Sequence, residues 1–130
     1  SLKDLMENNF RRLNSESDTH FYFYYTGSNH HFDKQEELMI YRIIMELTNN
    51  IIKHARATEA TIQFIYHEDH LSLVAEDNGK GFYNDASNGI GLKNIESRVK
   101  YLNGSLDIDS DNHGTTIMIQ IPYKNNNEKN

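Results

Sequence analysis

An acidic residue ends an apolar alternation in this sequence. The pattern that runs up to Ala75 places Asp77 on the buried face of a predicted strand, and Gly79 and Gly81 follow at alternate positions. A buried carboxylate is costly without a donor. It can be satisfied by the amides of an Asp-Asn-Gly turn, or it can await an amino-type donor such as the exocyclic amine of adenine. On the second interpretation, the two glycines let the backbone approach a flat ring where a Cβ atom would collide.

The last predicted strand carries a polar residue in a similar place. Thr115 lies in register with the isoleucines at 117, 119 and 121, so a hydroxyl ends an apolar face just as Asp77 does. Two polar groups that end two core faces suggest a shared pocket. Thr115 would hold a hydroxyl or a water beside Asp77 in that pocket.

A third group lies on the central predicted helix. At about 100° per residue, Glu46, Asn50, Lys53 and His54 share one side of that helix, away from its core stripe. Asn50 offers a carbonyl to Mg²⁺, Lys53 and His54 offer donors to phosphates, and Glu46 can orient water or accept a proton. These types suit a nucleotide with a metal ion. Taken alone, the same residues also fit a solvated helix face.

The pair Gly89-x-Gly91 precedes another predicted helix, where amides and the helix dipole favour phosphate. Alone it is a weak signal, since most such pairs are turns and caps. Lys80 and Lys93 could add charge there or be ordinary surface lysines. Neither a Walker-type phosphate loop nor a dinucleotide-binding fingerprint is present in the sequence.

The elements that must position these residues follow from periodicity and capping signals. Asp33 and Glu36 form a predicted capping box for the long helix. The order of elements predicts an α+β fold, a two-layer sandwich with antiparallel pairs and helices on one face. The predicted helices cover 2–13, 34–57 and 92–102, and the predicted strands cover 20–27 at a sheet edge, 58–66, 71–77, 105–109 and 114–122.

The composition narrows the function classes. The 130 residues suggest one domain, and a net charge of −6 disfavours nucleic acid as a partner. The absence of cysteine excludes disulfides and thiolate metal sites, and neither a bilayer-spanning run nor a signal peptide is visible. We therefore expect a soluble piece without direct membrane contact. Because it begins with serine, we expect it to be part of a longer protein.

Taken in order, these motifs resemble the asparagine box and the two glycine boxes of the ATPase domain shared by histidine kinases, gyrase, the large heat-shock chaperones and MutL. The phrase MELTNNIIKHARA and a lid of six residues between Phe82 and Gly89 are similar to sensor kinases that pair with LuxR-type response regulators. The matching positions are Glu46-x-x-x-Asn50-x-x-Lys53-His54, Asp77-x-Gly79-x-Gly81, Gly89-x-Gly91-Leu92 and Gly114-Thr115.

The resemblance implies a Bergerat-type ATP-binding fold with a mixed, largely antiparallel sheet, and ATP and Mg²⁺ as cofactors. It places Asn50 on Mg²⁺, Asp77 and Thr115 at the adenine, and Glu46 as the catalytic base or orienting acid. The other positions that it assigns to ATP are Lys53, His54, Gly79, Gly81, Gly89, Gly91 and Leu92.

The family's phosphate-accepting histidine, on a dimerising helical hairpin, has no counterpart here. His54 belongs to the asparagine box, and the other six histidines lie in predicted loops or strand ends. Metal binding by His30 and His31 or by the HEDH turn is an alternative, although such histidines are usually solvated. We expect residues 1–14 to end an upstream helical region, 15–123 to form the ATP-binding domain and 124–130 to be a disordered tail.

The resemblance therefore implies the catalytic domain of a two-component histidine kinase. It would supply Mg-ATP to a histidine on the missing hairpin, and the fragment alone would not autophosphorylate. Its partners would be that hairpin and a response regulator, and the parent would be anchored in the bacterial inner membrane with this domain in the cytoplasm. Two alternatives remain: a serine kinase of the anti-sigma-factor type, and a non-enzymatic module gated by ATP.

Overall fold

The computed structural model describes residues 2–27, 32–81 and 89–124, with 89–91 described through their backbone only. Residues 28–31 of the predicted loop 28–33, Phe82 with the six-residue lid at 83–88, and residues 125–130 of the predicted tail at 124–130 lie outside the described residues. The helices are α1 (Leu2–Glu16), α2 (Lys34–Asn50) and α3 (Gly89–Tyr101), and a π-helical turn spans Ile51–Ala55. The strands are β1 (His20–Thr26), β2 (Glu59–Tyr66), β3 (His70–Asp77), β4 (Ser105–Asp111) and β5 (Gly114–Pro122).

The five strands form one sheet in the order β1-β2-β3-β5-β4. β1 runs parallel to β2, and the other three pairs are antiparallel. Alternate positions of the strands contribute to a single core that also contains buried side chains of all three helices, as expected for a two-layer arrangement. The predicted α+β fold, with a mixed and largely antiparallel sheet and β1 at its edge, is confirmed.

The start of α2 follows its sequence signals. The Asp33 side chain accepts a hydrogen bond from the Glu36 amide at 2.8 Å, and the Glu36 carboxylate accepts one from the Asp33 amide at 2.9 Å. This is the predicted capping box. The apolar stripe behind it is fully packed, because each of its side chains is at most 3% exposed. The stripe consists of Ile40, Ile44, Leu47, Ile51 and Ala55.

The end of this helix differs from the prediction of one continuous α-helix to residue 57. The α-helical part ends at Asn50, a π-helical turn follows, and Arg56 closes it with a φ of 53°. A long-range contact lies at this end: the Ala55 carbonyl accepts a hydrogen bond from the Lys80 amide at 2.8 Å. Since the terminal carbonyl has a partner outside the helix, the chain can leave the helix there.

α1 packs into the same core. Leu2, Met6 and Phe10 are buried, and the Phe10 ring lies 5.9 Å from that of Phe21. The Asn14 amide group donates to the Phe21 carbonyl at 2.8 Å and accepts from its N–H at 2.6 Å, so it pairs with the backbone of β1. The division between an upstream region and the ATP-binding domain at residue 14 stays a prediction.

α3 begins at Gly89, three residues before its predicted start. Glycine disfavours helices, which is why the sequence suggested a loop there. Packing supports the helix instead, because Ile95, Val99 and Leu102 on and just after α3 are at most 5% exposed. Within the described ranges, no helix has both the length and the apolar character needed to cross a membrane.

Candidate functional site

Asp77 and Thr115 meet at one end of the sheet. They are directly paired across β3 and β5, so both side chains lie on the same face, continuous with the core. Thr115 is only 3% exposed, and its hydroxyl lies 2.7 Å from that of Ser110 on β4. The structure thus brings together the two residues that the sequence predicted to share a pocket.

The Asp77 carboxylate is half-buried, and burial raises its pKa above the usual range for an aspartate. The backbone amides of Gly79 and Thr115 donate to it and partly offset this effect, the Gly79 bond being 2.9 Å long. The interpretation that the amides of the turn satisfy Asp77 is therefore correct for some of its acceptor positions. A carboxylate has about four acceptor positions, so two amide donors leave capacity for another donor.

Gly79 and Gly81 are confined by protein backbone. A Cβ atom at Gly79 would overlap the Ala55 carbonyl, and one at Gly81 would overlap the Asp111 carbonyl. Gly81 also has a φ of 69°, a conformation that other residues rarely adopt. Close packing between segments of this chain is thus a sufficient reason for both glycines, and their approach to a ligand ring stays a prediction.

The four residues that were predicted to share one side of the central helix lie in two kinds of helix. Glu46 and Asn50 are half-buried and one turn apart on α2, whereas Lys53 and His54 are exposed in the π-helical turn. A π-helical turn holds more residues than an α-helical turn, so the uniform angular spacing expected for all four residues is wrong at Lys53 and His54. The Ala55 contact with Lys80 joins this segment to the one that follows Asp77.

The structure adds partners of Glu46 that the sequence analysis missed. Its Oε1 accepts a hydrogen bond from Asn94 Nδ2 at 3.2 Å and lies 3.5 Å from Arg98 Nη1. Asn94 and Arg98 are four residues apart on α3, a spacing that places them on one face and could have been noticed in the sequence.

Asn78 is a third residue that was missed. Its Oδ1 accepts from the amides of Thr58 and Glu59 at 2.9 and 3.0 Å, and its Nδ2 donates to the Thr58 hydroxyl at 2.8 Å. These bonds hold the start of β2 against the end of β3. Asn78 therefore fixes the backbone on which Asp77 is carried.

The glycines at 89 and 91 lie in the first turn of α3, where backbone amides are not used within the helix. Leu92 follows them and is half-buried, while Lys93 and Lys80 are exposed. This backbone arrangement fits the predicted use of the segment near phosphates. Residues 82–88, between Gly81 and this segment, are not described.

The histidine turn shows no metal arrangement. The rings of His67 and His70 stack with centroids 4.3 Å apart, and each ring has another partner: Ser72 at 3.1 Å for His67 and Asp69 at 2.6 Å for His70. Over 2–27, 32–81 and 89–124, no group of three or more histidine or acidic side chains could hold a metal ion. His30 and His31 are outside those ranges.

Comparison with known proteins places these features in context. Residues 35–125 match the family model described as histidine kinase-, DNA gyrase B-, and HSP90-like ATPase. The signal transduction histidine-protein kinase/phosphatase UhpB of Salmonella typhimurium is 35% identical over 92 residues, which cover 70% of this chain and 18% of that protein. DegS of Brevibacillus brevis, which has the same description, is 33% identical over 103 residues, 77% of this chain and 27% of that protein.

The fold is shared with solved structures. The Acinetobacter baumannii histidine kinase AdeS superposes with a TM-score of 0.76 and 18% identity, over 95% of this chain and 64% of that one. The chain spans less than a third of the length of the two curated relatives named above.

Proposed function

The chain belongs to the family of histidine kinase-, DNA gyrase B- and HSP90-like ATPases, and we propose that it is the ATP-binding catalytic domain of a two-component sensor histidine kinase. The observation that carries this proposal is the half-buried Asp77 carboxylate opposite the buried Thr115 hydroxyl. The named kinase relatives favour a histidine kinase over a serine kinase of the anti-sigma-factor type.

Asp77 and Thr115 recognise the adenine in this proposal. Asp77 accepts a hydrogen bond from the exocyclic amine, and Thr115 holds the adjacent polar edge directly or through water. A carboxylate that is costly to bury gains most from such a donor. This pairing explains why a charged group is kept at the end of a core strand.

The phosphates lie toward α2 and the start of α3. Lys53, His54 and the amides of the first turn of α3, at Gly89, Gly91 and Leu92, supply donors. Asn50 has the oxygen ligand that Mg²⁺ accepts, and a half-buried amide one turn from the Glu46 carboxylate fits a cation that takes few protein ligands. When bound, Mg²⁺ neutralises charge on the phosphates.

Glu46 is the proposed catalytic residue, orienting the acceptor or accepting its proton. The acceptor is a histidine on a dimerising hairpin of the same protein, and a response regulator then receives the phosphoryl group. The parent protein is anchored in the bacterial inner membrane and holds this domain in the cytoplasm. These whole-protein features rest on the family and on the resemblance to its kinases.

An isothermal titration of ATP into this chain with Mg²⁺ tests the proposal. We expect micromolar to sub-millimolar binding that Asp77→Asn abolishes or weakens by at least about tenfold, since a hydrogen bond to a charged group contributes about 1.5–3 kcal/mol. Asp107→Asn, an exposed aspartate on β4, is the matched control and should bind as the unsubstituted chain does. If the folded chain does not bind ATP, or if both variants bind equally, the assigned adenine site is wrong.

A further inference from the structure

The carboxylate of Glu46 is held from the neighbouring helix. Asn94 Nδ2 donates a hydrogen bond to Oε1 at 3.2 Å, and Arg98 Nη1 lies 3.5 Å from the same oxygen. Both contacts converge on one oxygen, so these two residues orient the carboxylate, and neither of the two contacts uses Oε2. Glu46 is thus fixed by α3 as well as by its own helix.

Arg98 forms an ion pair with Glu46 through Nη1, without a hydrogen bond. Its Nη1 atom is buried and has no hydrogen-bond partner in the part of the chain that the structure describes. The side chains of Arg98 and Glu46 are only 27% and 25% exposed. The carboxylate charge stabilises this poorly solvated N–H. Removing either side chain would leave the other partly buried and unpaired, which would lower stability.

The helix that carries Asn94 and Arg98, α3, is packed against the core. Asn94 and Arg98 flank Ile95 and Val99, which are 0% and 2% exposed in the core. The spacing of four residues places both polar groups over the same side of α2. A functional group is held most accurately when its supporting side chains stand on packed elements of this kind.

We propose that Asn94 and Arg98 are positioning residues that hold Glu46 in the orientation required for phosphoryl transfer, an inference that rests on the proposed function. They act through Glu46 and contact neither ATP nor the accepting histidine. The alternative is a purely structural role, in which the same contacts only fasten α3 to α2. The two roles differ in what Arg98→Met changes: loss of positioning slows transfer while ATP binding stays nearly unchanged, whereas loss of a fastening between α3 and α2 lowers ATP binding and transfer together.

The test measures transfer of the γ-phosphoryl group of ATP to the hairpin histidine in the full-length protein to which this chain is proposed to belong. We expect Arg98→Met to slow transfer by about 10- to 100-fold, as loss of an orienting partner commonly does. The ATP dissociation constant should change by less than about twofold. Arg98→Lys keeps the charge and should restore part of the rate, and Asn94→Ala should give a smaller loss.

A second comparison uses Glu46→Gln as the background and shows whether Arg98 acts through the Glu46 carboxylate. If Arg98 acts through the carboxylate, Arg98→Met has little further effect on transfer in Glu46→Gln. Urea unfolding of this chain tests the same contact without catalysis. If the two side chains interact, the effects of Arg98→Met and Glu46→Gln on the free energy of unfolding should be less than additive. Equal slowing by Arg98→Met in both backgrounds, or additive stability effects, would overturn the inference.

Failure of the proposed function would look different. In that case the unsubstituted protein would neither bind ATP nor transfer phosphate, and the inference would fall with it. If the unsubstituted protein transfers phosphate and Arg98→Met does so at the same rate, the proposed function stands and the positioning role is refuted.

Discussion

Replacing Gly79 by alanine separates two explanations of this glycine. The added Cβ atom would overlap the Ala55 carbonyl, so the segment after Asp77 must move away from the π-helical turn. Such overpacking costs about 1–3 kcal/mol. The same movement breaks the 2.8 Å bond from the Lys80 amide to Ala55, which contributes about 0.5–1.5 kcal/mol. We therefore expect Gly79→Ala to lower the free energy of unfolding by about 1.5–4.5 kcal/mol without any nucleotide present.

Urea unfolding followed by circular dichroism measures this loss. With a slope of about 2 kcal/mol per M, the midpoint should fall by about 1–2 M. Asp77→Asn is the matched control in the same turn, because it keeps an oxygen for the Gly79 amide and should hardly lower the midpoint. An unchanged midpoint for Gly79→Ala together with lost ATP binding would refute the packing argument, and would show that the glycine serves the approach of the ligand instead.

Two further results are expected from the residues around Asp77. Asn78→Ala removes the bonds to the Thr58 and Glu59 amides and leaves these donors without that acceptor; urea unfolding should show a loss of about 2–3 kcal/mol. Burial raises the pKa of Asp77, so its contribution to stability is fully present below the unfolded pKa and is lost as pH rises through the folded pKa. The stability of Asp77→Asn relative to the unsubstituted chain should thus increase from about pH 4 upward, and a constant difference would contradict the burial argument.

The features that were predicted correctly depend on local patterns. The capping box at Asp33 and Glu36 is a contact between residues three apart, and the stripe from Ile40 to Ala55 repeats over several turns. Such patterns depend only on residues that are close together in the sequence, so they can be recognised without knowing the fold. The shared face of Asp77 and Thr115 also followed from a local rule, because alternation along each strand determines which face a residue occupies.

The features that were missed depend on contacts between distant segments. Nothing in the window from 51 to 55 shows that the Ala55 carbonyl will meet Lys80, and this contact accompanies the change from an α-helix to a π-helical turn. The partners of Glu46 are 48 and 52 residues away along the chain, at Asn94 and Arg98. Helical periodicity shows which side of a helix is polar, but it does not show which neighbour that side faces.

The order of the strands has a consequence for assembly. β2 with β3, and β4 with β5, are local hairpins that can form early, whereas the pairing of β3 with β5 closes a much longer loop. Asp77 belongs to the first hairpin and Thr115 to the second, so neither hairpin alone contains the pair. A ligand that needs both residues has no partial site to occupy on an incompletely folded chain. Ligand binding would therefore stabilise only the fully folded chain, and the folded fraction would increase with ligand concentration.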